Sequence, residues 1–188
     1  MVEPHSHFAG STPLNPLVAE AEIRGLVRRL ADDIARGHPA GVPLVVVGAM
    51  KGALLFMADL VRCLPMPIEI ETLRACSYDG TERGEGVRIL DDVDALELTG
   101  RHVLLVDTVL DSGHTLAALR DALTARGPAS LRICVLLRKR REPAVPVRAD
   151  YVGREIPDVF VVGYGLDHAD GWRHLAYVAE LPPEAASP

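Results

Sequence analysis

Apolar positions along the chain follow two patterns, and each pattern predicts one kind of element. Helical spacing, with apolar residues three and four apart, predicts helices at residues 15–37, 52–64 and 116–127. Short runs rich in valine, leucine and isoleucine are typical of strands that are covered on both faces. These runs predict strands at residues 43–49, 68–76, 87–90, 102–107, 130–137 and 159–165.

The first helix is expected to open at Asn15 and Pro16, because proline is favoured at a helix start, and to end at Gly37. Strands that alternate with helices predict an α/β fold around a parallel sheet with right-handed crossovers. Ligands of such sheets collect beyond the carboxyl ends of the strands. The loops expected at that edge, and therefore the candidate ligand-binding loops, are residues 48–52, 77–86, 107–115, 137–143 and 163–174.

Composition narrows the class of protein. The 188 residues, of which 48% are hydrophobic and 24% charged, suit one soluble globular domain with a full core. A net charge of -6 argues against a nucleic-acid partner, so a phosphate ligand would have to be held locally. Cys63, Cys76 and Cys134 lack metal-type spacing, and neither a signal peptide nor a membrane span is evident. We therefore expect a cytoplasmic protein without a membrane partner, with a flexible N-terminus at residues 1–14.

The segment at residues 103–119, "VLLVDTVLDSGHTLAAL", combines a strand, a hydroxyl-rich loop and a helix start. The backbone amides of Ser112, Gly113, His114 and Thr115 can point into one concavity at the helix N-terminus, which suits a phosphate monoester. Gly113 permits a positive φ or a close backbone approach. A simple helix cap would explain the same loop, so both interpretations are open.

This segment resembles the phosphoribosyl pyrophosphate signature of type I phosphoribosyltransferases. Residues 156–181, "IPDVFVVGYGLDHADGWRHLAYVAEL", resemble the C-terminal segment of the hypoxanthine-guanine enzymes of that family. The resemblance covers residues 15–182 and implies a single domain there, followed by a C-terminal tail at residues 183–188. It also implies a central, mostly parallel sheet flanked by helices, with a small hood formed by the terminal segments.

The resemblance implies a role for each residue of the loop. The 5′-phosphate of the ribosyl donor would be bound by Asp111, Ser112, Gly113, His114 and Thr115. Asp111 would also be the catalytic residue, placed near purine N7 to take the proton released as the base is ribosylated. The alternative is that Asp111 merely caps the helix.

The same resemblance implies a purine site. Lys139 would donate a hydrogen bond to the purine 6-oxo group, and this contact would disfavour adenine. Phe160 would stack on the base, and Val161 would offer backbone hydrogen bonds to it. Asp167 belongs to the same region. As alternatives, the charged run at residues 138–141 is a solvated face, and Phe160 is part of the core.

The donor's pyrophosphate would lie on Met50, Lys51 and Gly52, with a cis Met50-Lys51 bond, and on the guanidinium of Arg173. Oxygen ligands for Mg²⁺ would come from Asp167 and Asp107. Ser77 and Tyr78 would begin a loop that closes over the donor and excludes water, although a disordered surface loop is the alternative.

One pair departs from the family pattern. Most relatives carry Glu-Asp where this chain has Asp107-Thr108, and those acids hold the ribose hydroxyls and help to position magnesium. The loss of one carboxylate should weaken donor binding by about 1–3 kcal/mol. Thr108→Asp is accordingly expected to raise activity at low donor concentration.

The implied activity is purine salvage. The enzyme would transfer 5-phosphoribosyl from 5-phospho-α-ribosyl 1-pyrophosphate to N9 of hypoxanthine or guanine, giving IMP or GMP and pyrophosphate. Relatives form homodimers or homotetramers. Because of Thr108, a catalytically weakened nucleotide-binding regulator and a transferase for a different acceptor stay open as alternatives.

Overall fold

A computed structural model of the protein describes residues 14–80 and 84–182, without the side chains of residues 77–80, 84 and 85. The helices are α1 (Glu20–Gly37), α2 (Leu54–Cys63) and α3 (His114–Thr124), with a short 3-10 turn at Val93–Ala95. The strands are β1 (Pro16–Val18), β2 (Leu44–Met50), β3 (Ile68–Gly80), β4 (Gly84–Ile89), β5 (His102–Leu110), β6 (Ser130–Lys139), β7 (Tyr151–Ile156), β8 (Val161–Val162) and β9 (Val178–Glu180). The expected flexible N-terminus and C-terminal tail lie almost wholly outside the described residues.

The main sheet has six strands in the order β4-β3-β2-β5-β6-β7. All neighbouring pairs are parallel except β3 and β4, which are antiparallel. This confirms the mostly parallel α/β sheet. Because β2, β5 and β6 run in the same direction, their carboxyl ends meet at one edge.

Each central strand is apolar throughout because both of its faces are covered. In β2, Val46 packs with α1 and α2 on one side, and Val45 and Val47 pack with α3 on the other. In β5, Leu104 and Leu105 divide between the same two clusters. Alternate side chains of a strand point to opposite faces, so an unbroken apolar run marks a strand between two helix layers.

The terminal segments form a second, three-stranded sheet in the order β1-β9-β8. Both of its pairs are antiparallel, and Val18 faces Val178 while Val162 faces Ala179. The expected hood of terminal segments is therefore confirmed.

The predicted start of the first helix was wrong. Pro16 and Val18 belong to β1, and α1 begins only at Glu20. Val18 is fully buried in the hood, so its pairing with β9 outweighs the local preference of proline for a helix start.

Two other predictions need correction. Residues 77–86 were expected to form a loop, but residues 77–80 extend β3 and residues 84–86 open β4. The two strands pair antiparallel there, and residues 81–83 between them lie outside the described part. The strand predicted at residues 159–165 is reduced to β8. After β8 the chain turns at Gly163, which forms an isolated β-bridge with Leu166.

Strand β7 was not predicted, because its sequence "YVGREI" has no apolar run. It lies at the edge of the sheet and is ordered by its pairing with β6. The backbone of β6 comes so close to Gly153 that a Cβ on residue 153 would collide with the Leu136 carbonyl oxygen. Cys63, Cys76 and Cys134 are all free thiols. None of the described helices combines the length and the apolar character needed to cross a bilayer.

Candidate active site

The loop after β5 holds the residues predicted to bind a phosphate. Gly113 has a φ of +86°, and a Cβ there would lie 2.5 Å from the Val145 carbonyl oxygen, so only glycine fits without distortion. The Val145 amide also donates to the Ser112 carbonyl at 3.1 Å, which ties the loop to the segment before β7. These contacts fix the backbone of the loop.

No side chain caps α3, whose N-cap is Gly113 itself. The interpretation of Asp111 as a helix cap is therefore wrong. A helix N-terminus that has no side-chain acceptor keeps its amide donors and its partial positive charge for another anion.

Asp111 lies instead between two cations at the carboxyl edge of the sheet. Lys139 Nζ is 2.8 Å from Asp111 Oδ2, and Arg141 forms a hydrogen bond to Asp111 Oδ1. Both cations are also 3.5 Å from Oδ1 of Asp158, which follows β7. The four side chains form one network in which positive and negative charges alternate.

Burial separates Lys139 from its neighbours in the charged run. Lys139 is 8% exposed, whereas Arg138, Arg140 and Arg141 are exposed. The interpretation of the run as a solvated face therefore fails for Lys139. A buried ammonium requires paired carboxylates, and Asp111 and Asp158 supply them.

The electrostatics of Asp111 result from opposing effects. Partial burial raises the pKa of its carboxyl, but hydrogen bonds from Lys139 and Arg141, together with their charges, outweigh it and bring the pKa below the usual value. Asp111 is thus a carboxylate at neutral pH, which is the form that can accept a proton.

Phe160 lies just before β8 and is 49% exposed, so the interpretation of Phe160 as a core residue is wrong. The ring of His168 meets it edge to face, with 5.6 Å between the centroids. Val161 is buried in β8 and pairs with Glu180. An exposed aromatic face beside the Asp158 segment suits a flat ligand.

The cis Met50-Lys51 peptide implied by the resemblance is present. Lys51 Nζ is 3.0 Å from Asp170 Oδ1, and Arg173 contacts the same oxygen at 3.0 Å. Arg173 also binds Asp167 Oδ1 at 2.8 Å. Two residues predicted to bind pyrophosphate, Lys51 and Arg173, are therefore joined through one carboxylate.

The loop after β2 packs directly against the loop after β8. Gly165 has a φ of +96°, and a Cβ there would collide with the Gly52 carbonyl oxygen. That same oxygen accepts a 2.8 Å hydrogen bond from the Thr108 hydroxyl. Gly52 is thus fixed from two sides.

Asp107 and Thr108 end up in different surroundings. Burial raises the pKa of the Asp107 carboxyl to about 7, against hydrogen bonds from the amides of Thr108 and Val109 that lower it. Thr108 is fully buried, with its hydroxyl committed to Gly52. The departure from Glu-Asp therefore provides an internal contact, and a role of Thr108 in ribose binding stays a prediction.

Ser77 and Tyr78 occupy strand positions in β3, opposite Val87 and Gly86 of β4. Their side chains are outside the described part of the chain, so the closing loop stays a prediction as well. The sequence predictions missed Asp158 and Asp170, which complete the two charge networks. Asp170 lies in the loop at residues 163–174 that the sequence had singled out, whereas Asp158 lies in none of those loops because the strand before it was not predicted.

Comparison with known proteins agrees with this geometry. A family model described as a phosphoribosyl transferase domain matches residues 17–169, most of the described part. The chain therefore belongs to the phosphoribosyl transferase domain family, as its sheet and its loop after β5 indicate.

Within that family, the chain is similar to proteins named for one activity. It is 43% identical over 170 residues to a hypoxanthine phosphoribosyltransferase of Haemophilus influenzae, covering 88% of this chain and 93% of the relative. It is 40% identical over 173 residues to a hypoxanthine-guanine phosphoribosyltransferase of Mycobacterium bovis, covering 89% and 85%. A crystal structure of a Bacillus anthracis hypoxanthine-guanine phosphoribosyltransferase aligns with a TM-score of 0.83 and 35% identity, covering 90% of this chain and all of that one.

Proposed function

We propose that the protein is a purine salvage enzyme. It transfers 5-phosphoribosyl from 5-phospho-α-ribosyl 1-pyrophosphate to N9 of hypoxanthine or guanine, giving IMP or GMP and pyrophosphate. The observation that carries the proposal is the position of Asp111, which opens an uncapped helix N-terminus and is ionised between Lys139 and Arg141. The same conclusion is supported by the identities of 43% and 40% to proteins named hypoxanthine phosphoribosyltransferase and hypoxanthine-guanine phosphoribosyltransferase.

The chemistry divides between two ends of the site. The amides of residues 112–115 would bind the 5′-phosphate, while the carboxylate of Asp111 would accept the proton that leaves the purine. Its lowered pKa favours the ionised form that this step needs. Lys51, Gly52 and Arg173 would bind the pyrophosphate at the other end.

The preference for 6-oxopurines follows from the donors of Lys139. An ammonium has three N–H donors, and the Lys139 ammonium contacts one oxygen of Asp111 at 2.8 Å and one of Asp158 at 3.5 Å. The remaining donor would bind a 6-oxo group, but it would face another donor in adenine. Phe160 would stack on the base from one side.

Magnesium is the cofactor that this site could hold. Among the residues that the structure describes, no three His, Cys, Asp or Glu side chains are grouped to bind a metal. Asp107 and Asp167 are separate carboxylates, and such sites fit a Mg²⁺ ion that takes its other oxygens from water and from phosphates. When bound, Mg²⁺ supplies charge neutralisation for the leaving pyrophosphate.

The proposal is tested by incubating the protein with the ribosyl donor, Mg²⁺ and each of hypoxanthine, guanine, xanthine and adenine. Monophosphate and pyrophosphate should form in equal amounts with hypoxanthine or guanine, and adenine should give none. Tight nucleotide binding without product from any base would favour the regulator instead. Homodimer or homotetramer formation and a cytoplasmic location stay predictions.

A further inference from the structure

A cavity adjoins the proposed active site and shares Lys139 and Arg141 with it, but the rest of its lining takes no part in the reaction above. It has a volume of about 1030 Å³ and lies between α3, the end of β6, residues 140–149 and β7. The cationic side chains that line it are Arg120, Arg138, Lys139, Arg140, Arg141 and Arg148. Only two carboxylates, Glu142 and Glu155, line it with them. We refer to it as the arginine cavity.

The local charge runs against that of the whole protein. The chain carries a net charge of -6, yet the lining of the arginine cavity is strongly positive. Positive charges concentrated in a concave surface focus the electrostatic potential and attract small anions. A cavity of this size can enclose a small molecule, whereas a long polymer needs an open track.

Several of these cations are already paired. Arg138 binds Glu155, and Arg120 binds Asp121 and also donates to the Pro146 carbonyl at 3.2 Å. The contact to Pro146 ties residues 140–149 to α3. These arginines therefore shape the cavity.

Two guanidiniums remain for a ligand. Arg148 is exposed and has no ion pair or hydrogen bond within the described part of the chain. Arg140 has only a long ion pair with Glu155, at 4.0 Å. A planar guanidinium binds two phosphate oxygens at once through parallel hydrogen bonds. The apolar side chains of Leu110 and Val147 complete the wall of the cavity.

We infer that the arginine cavity is a second binding site, whose ligand is a small polyanion with two or more linked phosphate groups. The ligand is held by Arg140 and Arg148, which lie outside the loop at residues 111–115, whereas Pro143 and Val147 of the cavity wall pack beside Gly113 of that loop. Arg141 lines this cavity and also binds Asp111, so an occupied cavity would compete for the cation that holds the proposed catalytic carboxylate.

The test uses inorganic tripolyphosphate as the probe in isothermal titration calorimetry. Two binding events are expected for the unaltered protein, one in the arginine cavity and one at the proposed pyrophosphate position. Combined Arg140→Ala and Arg148→Ala substitutions should weaken one event at least tenfold, and Arg173→Ala should weaken the other. Arg28→Ala is the matched control, because Arg28 is an exposed arginine of α1 without a partner among the described residues.

A single event that Arg173→Ala removes, and that the Arg140 and Arg148 substitutions leave unchanged, would overturn the inference. Equal weakening by Arg28→Ala would overturn it too, because only general attraction would be left. A short single-stranded RNA that binds more tightly than tripolyphosphate, and loses binding with the same substitutions, would make the occupant a nucleic acid. The experiment does not require transferase activity, so it fails or succeeds separately from the proposed function.

Discussion

Lys139 Nζ lies 2.8 Å from Asp111 Oδ2, which makes a buried ammonium the direct partner of the carboxylate at the start of the phosphate loop. The pair joins the ends of β5 and β6, which are neighbours in the sheet. A carboxylate fixed in this way is ionised and aimed before any ligand arrives. The same contact connects the proposed proton acceptor to the proposed donor for the purine oxygen.

Replacement of the carboxylate should abolish most of the catalysis. We expect Asp111→Asn to lower kcat by about 100-fold to 10,000-fold, since an amide cannot accept the purine proton. Single-turnover product formation and nucleotide binding should be measured together. A variant that binds nucleotide as before but keeps its full kcat would show that the proton leaves by another route.

Arg141→Ala should move the acid limb of the pH profile. Arg141 lowers the pKa of the Asp111 carboxyl, so its removal raises that pKa. The base then becomes protonated at a higher pH, and kcat/KM should begin to fall at a higher pH as the solution is acidified. Arg138→Ala is the control, because this substitution removes the same charge from a residue that binds Glu155 rather than Asp111. Identical shifts in both variants would contradict the account.

The Thr108 hydroxyl should position the loop after β2. Thr108→Val keeps the shape but leaves the Gly52 carbonyl without this donor, which should cost about 1–3 kcal/mol of unfolding free energy and raise KM for the ribosyl donor. Thr108→Ser retains the hydroxyl and should leave KM near that of the unaltered protein. Chemical unfolding and donor titrations distinguish the two effects. Equal KM values for the two variants would remove the positioning role.

The structure also reverses the expectation for Thr108→Asp. A carboxylate at this fully buried position would face the Gly52 carbonyl oxygen, so two acceptors would meet without a proton between them. We now expect lower stability and no gain in activity at low donor concentration. A gain would indicate that the side chain can turn toward the ribose.

Close packing of the two loops gives another prediction. Gly165→Ala places a methyl group against the Gly52 carbonyl at a φ of +96°, so unfolding free energy should fall by about 1–3 kcal/mol or more and donor binding should weaken. Gly25→Ala is the control, since a Cβ at this position of α1 meets nothing within 4 Å. Thermal unfolding of both variants checks the difference. Similar melting temperatures would mean that the loops adjust freely.

The sequence predicted the central part of the fold because covered strands carry a local signal. The apolar runs of β2, β5 and β6, and the helices between them, identified the parallel sheet and its carboxyl edge. The hood strand at Pro16 was missed, since its order comes from β9, more than a hundred residues away along the chain. Strand β7 was missed for the same kind of reason.

The candidate site was predicted as a set of positions but not as a set of contacts. Lys139 and Phe160 could be named, whereas their burial and exposure could not be derived from a charged run and an apolar run. Asp158 and Asp170 were missed, because an ion pair between distant segments has no local pattern. The direction of the Thr108 side chain likewise depends on a loop 56 residues earlier.

The central claim is that the turn from Asp111 to Thr115 binds the sugar phosphate while Asp111 faces the base. A crystal structure with GMP tests it most directly. The account predicts the phosphate at the amides of residues 112–115, with the purine beside Phe160 and within hydrogen-bonding distance of Asp111 and Lys139. Density for GMP elsewhere, with this turn unoccupied, would contradict it.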